Sequence, residues 1–270
     1  MKVFGILNLT QDSFSDGGLY FEPQQAKQKA EELLSNGANV IDVGAQSSNV
    51  DAQKITPEEE WQRLSPVLAY LKTKNIPISV DTYKPEVIAQ SIQKGVAYIN
   101  DITGFTKFES LEILQTYQKA LPELVLMHSH NNSEIAQKES SLNPQNILTA
   151  ICRFFDTRIE ALLKVGVPES KIIVDPGMGF FLGDDPYLSI QILQSIAKLK
   201  ERYTRTLVSV SRKSFIGNLL GGKPPMQRKV GTLVCEYYAY LQGVDYIRTH
   251  EPQPLQETIL MNEILQKAVV

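Results

Sequence analysis

Residues able to do chemistry recur in this 270-residue chain where apolar runs end. The run through Leu207, Val208 and Val210 stops at Ser211-Arg212-Lys213-Ser214, and "DYIRTH" brings Arg248 and His250 to the end of another. Five more runs finish in oxygen-bearing side chains: Asn8 with Thr10, Asp42, Asp81 with Thr82, Asn100 with Asp101, and Asp175; the remaining one closes on His128. Each group taken alone is equally a helix cap or an Asx turn, because Asp, Asn, Thr and Ser satisfy backbone amides where a strand hands over to a helix. The conjunction says more. A carboxylate inside an apolar run is costly to bury without a partner, and Lys213, Arg248 and His250 can supply the opposing charge. Arg and Lys hold phosphate oxygens, while Asn8, Asp12 and Asp16 offer hard oxygens of the kind magnesium takes. Asp81, Asn100 and Asp175 suit a planar heterocycle with several N–H donors and acceptors. A polar ring attached to a metal-bound phosphate leaving group is the chemistry these residue types suggest.

Other chemistries find less support. The three histidines have no H-x-x-x-H spacing, which argues against a zinc hydrolase, and nothing resembles a G-x-S-x-G elbow. Neither G-x-G-x-x-G nor G-x-x-x-x-G-K-[ST] occurs, so the nucleotide fingerprints of open sheets are missing. With 27 basic residues against 30 acidic ones, the chain lacks the basic excess expected of a nucleic-acid binder. Cys152 and Cys235 lie in helical-looking segments without metal-ligand spacing and read as free thiols of a reducing compartment. The N-terminus is too short in apolar length for a signal segment, and no run reaches the ~18 apolar residues of a membrane span. A cytoplasmic protein is expected.

The elements that must position these residues are legible as an alternation. Apolar runs span 2–10, 39–45, 77–83, 97–102, 123–129, 171–177, 206–212 and 245–250, making eight. Helical patterns lie between them: one closes on Gly37, and one opens with Thr56 as N-cap, Pro57 in the first turn and acids after it. Further helices read as 85–93, 108–119, 144–164, 186–201, 228–241 and 253–267. Alternating strands and helices call for a parallel sheet. The length allows one barrel or two small domains. Eight units without a break in composition favour one α/β domain over residues 1–270, a (β/α)8 TIM barrel, in which the polar strand ends gather at the C-terminal mouth.

The strings "GILNLTQDSFSDGG", "VDTYKPEV", "INDITGF", "MHS", "VDPGMGFF", "SRKSFIG" and "IRTH" follow one another in an order and spacing that resemble the dihydropteroate synthase family, from residue 5 to about residue 250. The resemblance implies a pterin-binding TIM barrel. It also implies condensation of 6-hydroxymethyl-7,8-dihydropterin pyrophosphate with p-aminobenzoate, giving 7,8-dihydropteroate and pyrophosphate for folate synthesis. Matching positions take roles accordingly. Asp81, Asn100 and Asp175 would hydrogen-bond the pterin, Met127 would line its pocket, Lys213 would reach the ring, and Arg248 would stack on it while touching phosphate. Asn8, Arg248 and His250 would bear on pyrophosphate, with Asn8 and Asp16 on Mg2+. Phe14, Ser48, Phe180, Phe181 and Ser214 would surround p-aminobenzoate. Asn8, Lys213, Arg248 and His250 would thus carry the catalysis, and no covalent enzyme intermediate is needed.

The chain departs from the family where Gly-Glu-Ser-Thr-Arg-Pro-Gly is usual after the second strand. Here "AQSSNVD" stands, with Asn49 for the arginine, Ser48 for the threonine and Val50 for the proline. After the sixth strand, "GFFLG" puts Phe181 and Leu182 where a small residue and a cation are common. These departures resemble the sulfonamide-resistant Sul-type branch. The expectation is that Phe181 narrows the p-aminobenzoate mouth, so that a sulfonamide with its projecting substituent clashes. Overpacking of about 1–3 kcal/mol would give roughly ten- to hundredfold discrimination. A folate-dependent methyltransferase of the same pterin-binding class would keep the carboxylate pocket without needing the "SRKS" cations, and a non-catalytic pterin binder would keep both. A homodimer is expected, with the tyrosine-rich "VCEYYAYLQ" as a candidate face.

Overall fold

The computed structural model describes residues 1–10, 23–48, 53–131 and 134–267. Its strands are β1 (Lys2–Asn8), β2 (Val40–Gly44), β3 (Ile78–Asp81), β4 (Tyr98–Asp101), β5 (Glu123–Met127), β6 (Ile172–Asp175), β7 (Leu207–Val208) and β8 (Tyr246–Thr249). They pair in parallel in the order β6-β5-β4-β3-β2-β1-β8-β7. The ring closes through one bridge, Val174 to Thr206, reinforced by the Val174 N–H donating to the Arg205 carbonyl at 3.0 Å. This is the single-domain TIM barrel expected from the alternation. Among the described residues, no helix is long and apolar enough to cross a membrane.

Ten helices alternate with the strands among the described residues: α1 (Pro23–Ser35), α2 (Pro57–Thr73), α3 (Pro85–Gln93), α4 (Phe108–Thr116), α5 (Ile147–Lys164), α6 (Pro186–Gln194), α7 (Ile196–Arg202), α8 (Ser214–Leu219), α9 (Lys229–Leu241) and α10 (Pro252–Lys267). Helix α2 starts as its sequence demands. Thr56 Oγ1 accepts the Glu59 amide, Glu59 Oε2 accepts the Thr56 amide, and Pro57 occupies the first turn. The helix expected over 186–201 is two helices, because the chain leaves helical geometry at Ser195 (φ −101°, ψ 4°). Helix α5 begins three residues late: Asn143 Oδ1 accepts the amides of Gln145 and Asn146 and so holds a turn there. Strand β7 is far shorter than its apolar run, and a turn separates it from the short α8.

Strand parity decides which side chains meet. Successive residues point to opposite faces, so one set lines the barrel and the other packs against helices. Phe4, Val40, Tyr98, Val125, Ile173, Leu207 and Tyr246 form an apolar cluster inside the ring, with Phe4 set edge-on to Tyr98 and Tyr246 at centroid distances of 4.9 and 5.7 Å. The outward set, including Val3, Leu7, Ile41, Val43, Val80, Ile99, Leu124 and Ile247, merges with the helices in the main core. This inner plug fills the lower barrel and leaves the C-terminal end for polar groups.

Candidate active site

Two steps beyond the plug, the same parity turns polar. Asp42 is two residues on from Val40, Asn100 from Tyr98, Met127 from Val125, Asp175 from Ile173 and Arg248 from Tyr246. Register sets them side by side: Gly44 pairs with Asp81, Asp81 with Asn100, and Met127 with Asp175. Asp101, one residue from Asn100, falls on the other face. There Oδ1 accepts the amide and hydroxyl of Thr103, and Oδ2 accepts the Phe105 amide, so Asp101 builds a turn behind the wall.

The centre of the site is a guanidinium between two carboxylates. Arg248 Nε donates to Asp42 Oδ2 at 2.5 Å and Nη2 donates to Asp81 Oδ2 at 2.6 Å. Asp42 is wholly buried, and Asp81 borders the cavity above. Burial opposes the charge on Arg248, but Asp42 and Asp81 outweigh it and hold the guanidinium above its ordinary range. Burial pushes Asp81 up to about 7 despite Arg248, and pushes Asp175 up to about 6 while the Gly177 amide, 2.8 Å from its Oδ1, pulls the other way. Lys213 is brought down to about 8, first by burial and then by Arg248. Asn100 is buried, and its Oδ1 has no hydrogen-bond partner among the described residues. An orphaned amide oxygen at a buried strand end is an unmet demand that a ligand N–H would satisfy.

Above this floor lies a cavity of about 630 Å³. Its lining includes Asn8, Asp81, Arg248 and His250 as well as Phe180, Phe181, Lys213, Ser214 and Ser48. Phe181 is buried, and Lys213 Nζ stands 4.5 Å from its ring centroid, within cation–π range. Arg212 adopts φ 60°, a left-handed conformation unusual for a side-chain-bearing residue, held by its amide on Thr232 Oγ1 and its carbonyl under Arg228 Nη1. The "SRKS" string is therefore a turn, which carries Lys213 to the start of α8 and sends Arg212 toward Glu251.

Asn8, Ser48, Asp81, Phe180, Phe181, Lys213, Ser214, Arg248 and His250 come together around the cavity, while Asn100, Met127 and Asp175 lie buried at adjoining strand ends. Phe14, Asp12, Asp16 and the Asn49–Val50 part of the loop lie outside the described residues. Two strand-end residues gain partners that the sequence did not indicate, and a third contributor was not singled out. Asp42 was visible as a strand-end acid, but not as the deeper partner of Arg248. Ser211 Oγ lies 2.9 Å from His250 Nδ1. Gln46, at the cavity wall, ties the loop after β2 by donating to the carbonyls of Ser47 and Gln53 and accepting the Ile55 amide. Parity on β8 and β2 pointed to the first; nothing in local spacing pointed to the others, whose partners are remote or within an irregular loop.

Four loops are interlaced at the mouth. Glu134, after β5, pairs with Lys54 of the β2 loop at 2.7 Å and with Lys107 before α4 at 2.6 Å, and the Ala136 amide donates to the Ser48 carbonyl. On the other side, the His130 amide donates to the Phe181 carbonyl and the Asp184 amide to the Lys138 carbonyl. The β5 loop thus fixes both Ser48 and Phe181.

A family profile described as pterin binding enzyme matches residues 4–250. A dihydropteroate synthase type-3 of Escherichia coli is 44% identical over 265 residues, covering 98% of this chain and 99% of the relative. A dihydropteroate synthase type-2 of the same organism is 41% identical, with 98% and 96% covered. Among solved structures, a Xanthomonas albilineans dihydropteroate synthase with 4-aminobenzoic acid is similar at a TM-score of 0.87 and 29% identity, over 98% of this chain and 93% of that one.

Proposed function

The chain belongs to the pterin-binding enzymes and, within them, to the dihydropteroate synthases, and from that premise we propose how its residues divide the work. The enzyme is a transferase that joins p-aminobenzoate to the methylene of 6-hydroxymethyl-7,8-dihydropterin pyrophosphate and releases pyrophosphate in folate synthesis. The observation that carries the division of roles is the buried Arg248 bridge between Asp42 and Asp81, beside the unpaired Asn100 oxygen.

The pterin lies on that floor. Asn100 Oδ1 accepts a ring N–H, Asp175 accepts from the ring's amino edge, and Asp81 offers the oxygen not bound to Arg248. Met127 packs against the ring and Lys213 donates to it. The pyrophosphate faces Arg248, His250 and Asn8, all three of which line the cavity. Those groups stabilise negative charge as the C–O bond to the leaving group breaks, so the methylene becomes cationic before the arylamine nitrogen attacks. The p-aminobenzoate ring fits between Phe180, Phe181 and the Lys213 stem, its carboxylate toward Ser214 and Ser48; Phe14 is proposed to join them. Mg2+ suits this site. Asn8 supplies one hard oxygen and Asp16 is the proposed carboxylate, and magnesium takes few protein ligands when phosphate oxygens complete its shell. When bound, it would neutralise charge on the departing pyrophosphate.

The aromatic pair also supports insensitivity to sulfonamides, because Phe181 is buried against Lys213 and pinned through its carbonyl by the β5 loop. A drug substituent projecting beyond the p-aminobenzoate outline has to displace it. Two free, half-buried cysteines fit a cytoplasmic setting. A homodimer is supported by the exposed face of Val230, Val234, Tyr238 and Leu241 on α9 beside Leu260, Met261, Ile264 and Leu265 on α10. That face overlaps the tyrosine-rich string only at its outward positions; Tyr237 and Tyr240 pack against the core.

The test is pyrophosphate release from purified protein given both substrates, with and without excess sulfonamide. Turnover that persists with drug supports both readings. Binding of the pterin substrate without pyrophosphate release refutes the catalytic one. Phe181→Gly should make turnover roughly ten- to hundredfold more sensitive to sulfonamide, with KM for p-aminobenzoate changed far less; unchanged inhibition removes Phe181 from the explanation.

A further inference from the structure

His250 borders the cavity through a ring whose Nδ1 is already engaged, 2.9 Å from Ser211 Oγ. Which way the shared proton points follows from the other partners of that hydroxyl. Ser211 Oγ accepts the His250 backbone amide at 3.2 Å, and the Thr249 hydroxyl lies 3.5 Å away. Were Nδ1 protonated, the Ser211 proton would need another acceptor. Its neighbour Thr249 Oγ1 sits at the limit of hydrogen bonding and already accepts the Glu251 amide at 3.2 Å. The shorter contact takes the proton.

We propose that Ser211 is a positioning residue: its hydroxyl donates to His250 Nδ1, holds the ring as the Nε2–H tautomer, and so turns a neutral N–H donor toward the pyrophosphate. This rests on the reading of His250 as a pyrophosphate ligand. The two ring nitrogens of a neutral imidazole have opposite roles, and the partner of one dictates the other. A donor facing the cavity attracts an anion; the opposite tautomer would aim a lone pair at phosphate oxygens. The ring also stays neutral there, because burial, followed by Arg212, Arg248 and Lys213, lowers His250 to about 3. Ser211 is buried and borders the same cavity as the His250 ring.

The chain has three histidines, so ring nitrogens labelled with 15N can be assigned by comparison with His250→Ala. In the ligand-free protein, His250 should show an unprotonated Nδ1 and a protonated Nε2. Ser211→Ala should bring the two shifts together as tautomers mix, and should raise KM for the pterin pyrophosphate roughly five- to tenfold while KM for p-aminobenzoate stays put. Ser211→Thr, which keeps the hydroxyl, should restore both. A protonated Nδ1 in the unmodified protein, or shifts indifferent to Ser211→Ala, overturns the proposal whatever the kinetics. If the shifts respond but neither Ser211→Ala nor His250→Ala alters KM for the pterin pyrophosphate, the reading of His250 as a pyrophosphate ligand fails instead, and the positioning role with it.

Discussion

Burial raises several carboxyl groups of this chain above the ordinary carboxylate range. Asp81 and Asp175, at strand ends, are raised to about 7 and 6, and Glu236, buried in α9 with Oε1 unpartnered among the described residues, is raised to about 8. Unfolded carboxylates titrate near 4, so the folded chain keeps protons the unfolded one has lost, and each raised group costs stability as pH climbs toward its folded value. His128 and His250, lowered by burial to about 4 and 3, work the other way, but only up to their unfolded value near 6.5. Above that point Asp81 and Glu236 act without this opposition. Stability of the ligand-free enzyme should therefore fall by about 1–2 kcal/mol between roughly pH 6.5 and 8, read as the urea midpoint. Glu236→Gln should flatten the slope; an unchanged slope would mean that Glu236 is already ionised.

At the scale of elements, turns aim the side chains that strands deliver. Gly177 follows Asp175 with φ 70°, donates its amide to the Asp175 carboxylate, and leaves no room for a side chain: an added Cβ would lie 2.3 Å from the His128 carbonyl oxygen. Left-handed strain and the clash with backbone both oppose substitution. Gly177→Ala should cost at least ~2 kcal/mol in chemical denaturation and lower turnover more than tenfold, because Asp175 loses its turn. Full activity at wild-type stability would show that the β6 loop yields freely. The short β7 has a similar logic. The run to Val210 is apolar enough for a longer strand, yet the turn at Arg212 takes over, since Lys213 must open α8 beside Phe181.

For the whole molecule, the apolar face on α9 and α10 is exposed among the described residues, whereas the other helices bury apolar side chains in the common core. None of its residues lines the strand-end cavity, so association and catalysis are separable. Val234→Lys with Leu265→Lys should convert a sedimenting dimer to a monomer with unchanged far-ultraviolet circular dichroism. A wild-type protein that sediments as a monomer would assign that face no role in self-association.

The alternation of apolar runs and helical patterns was enough for the barrel, because period-2 and period-3.6 burial are local properties of a chain. The strand-end polar residues were equally legible, since parity and the C-terminal mouth follow from that fold. Other features depended on chain segments far apart in sequence. The pairing of Arg248 with Asp42 and Asp81 spans 206 and 167 residues. The exile of Asp101 to the outer face needed the strand's true phase, and the Ser211 contact to His250 needed β7 and β8 side by side. Ser48 and Phe181 meet through a β5 loop that has no periodicity to read. Local patterning decides which elements form; only the closed ring decides which polar side chains share a proton or a charge.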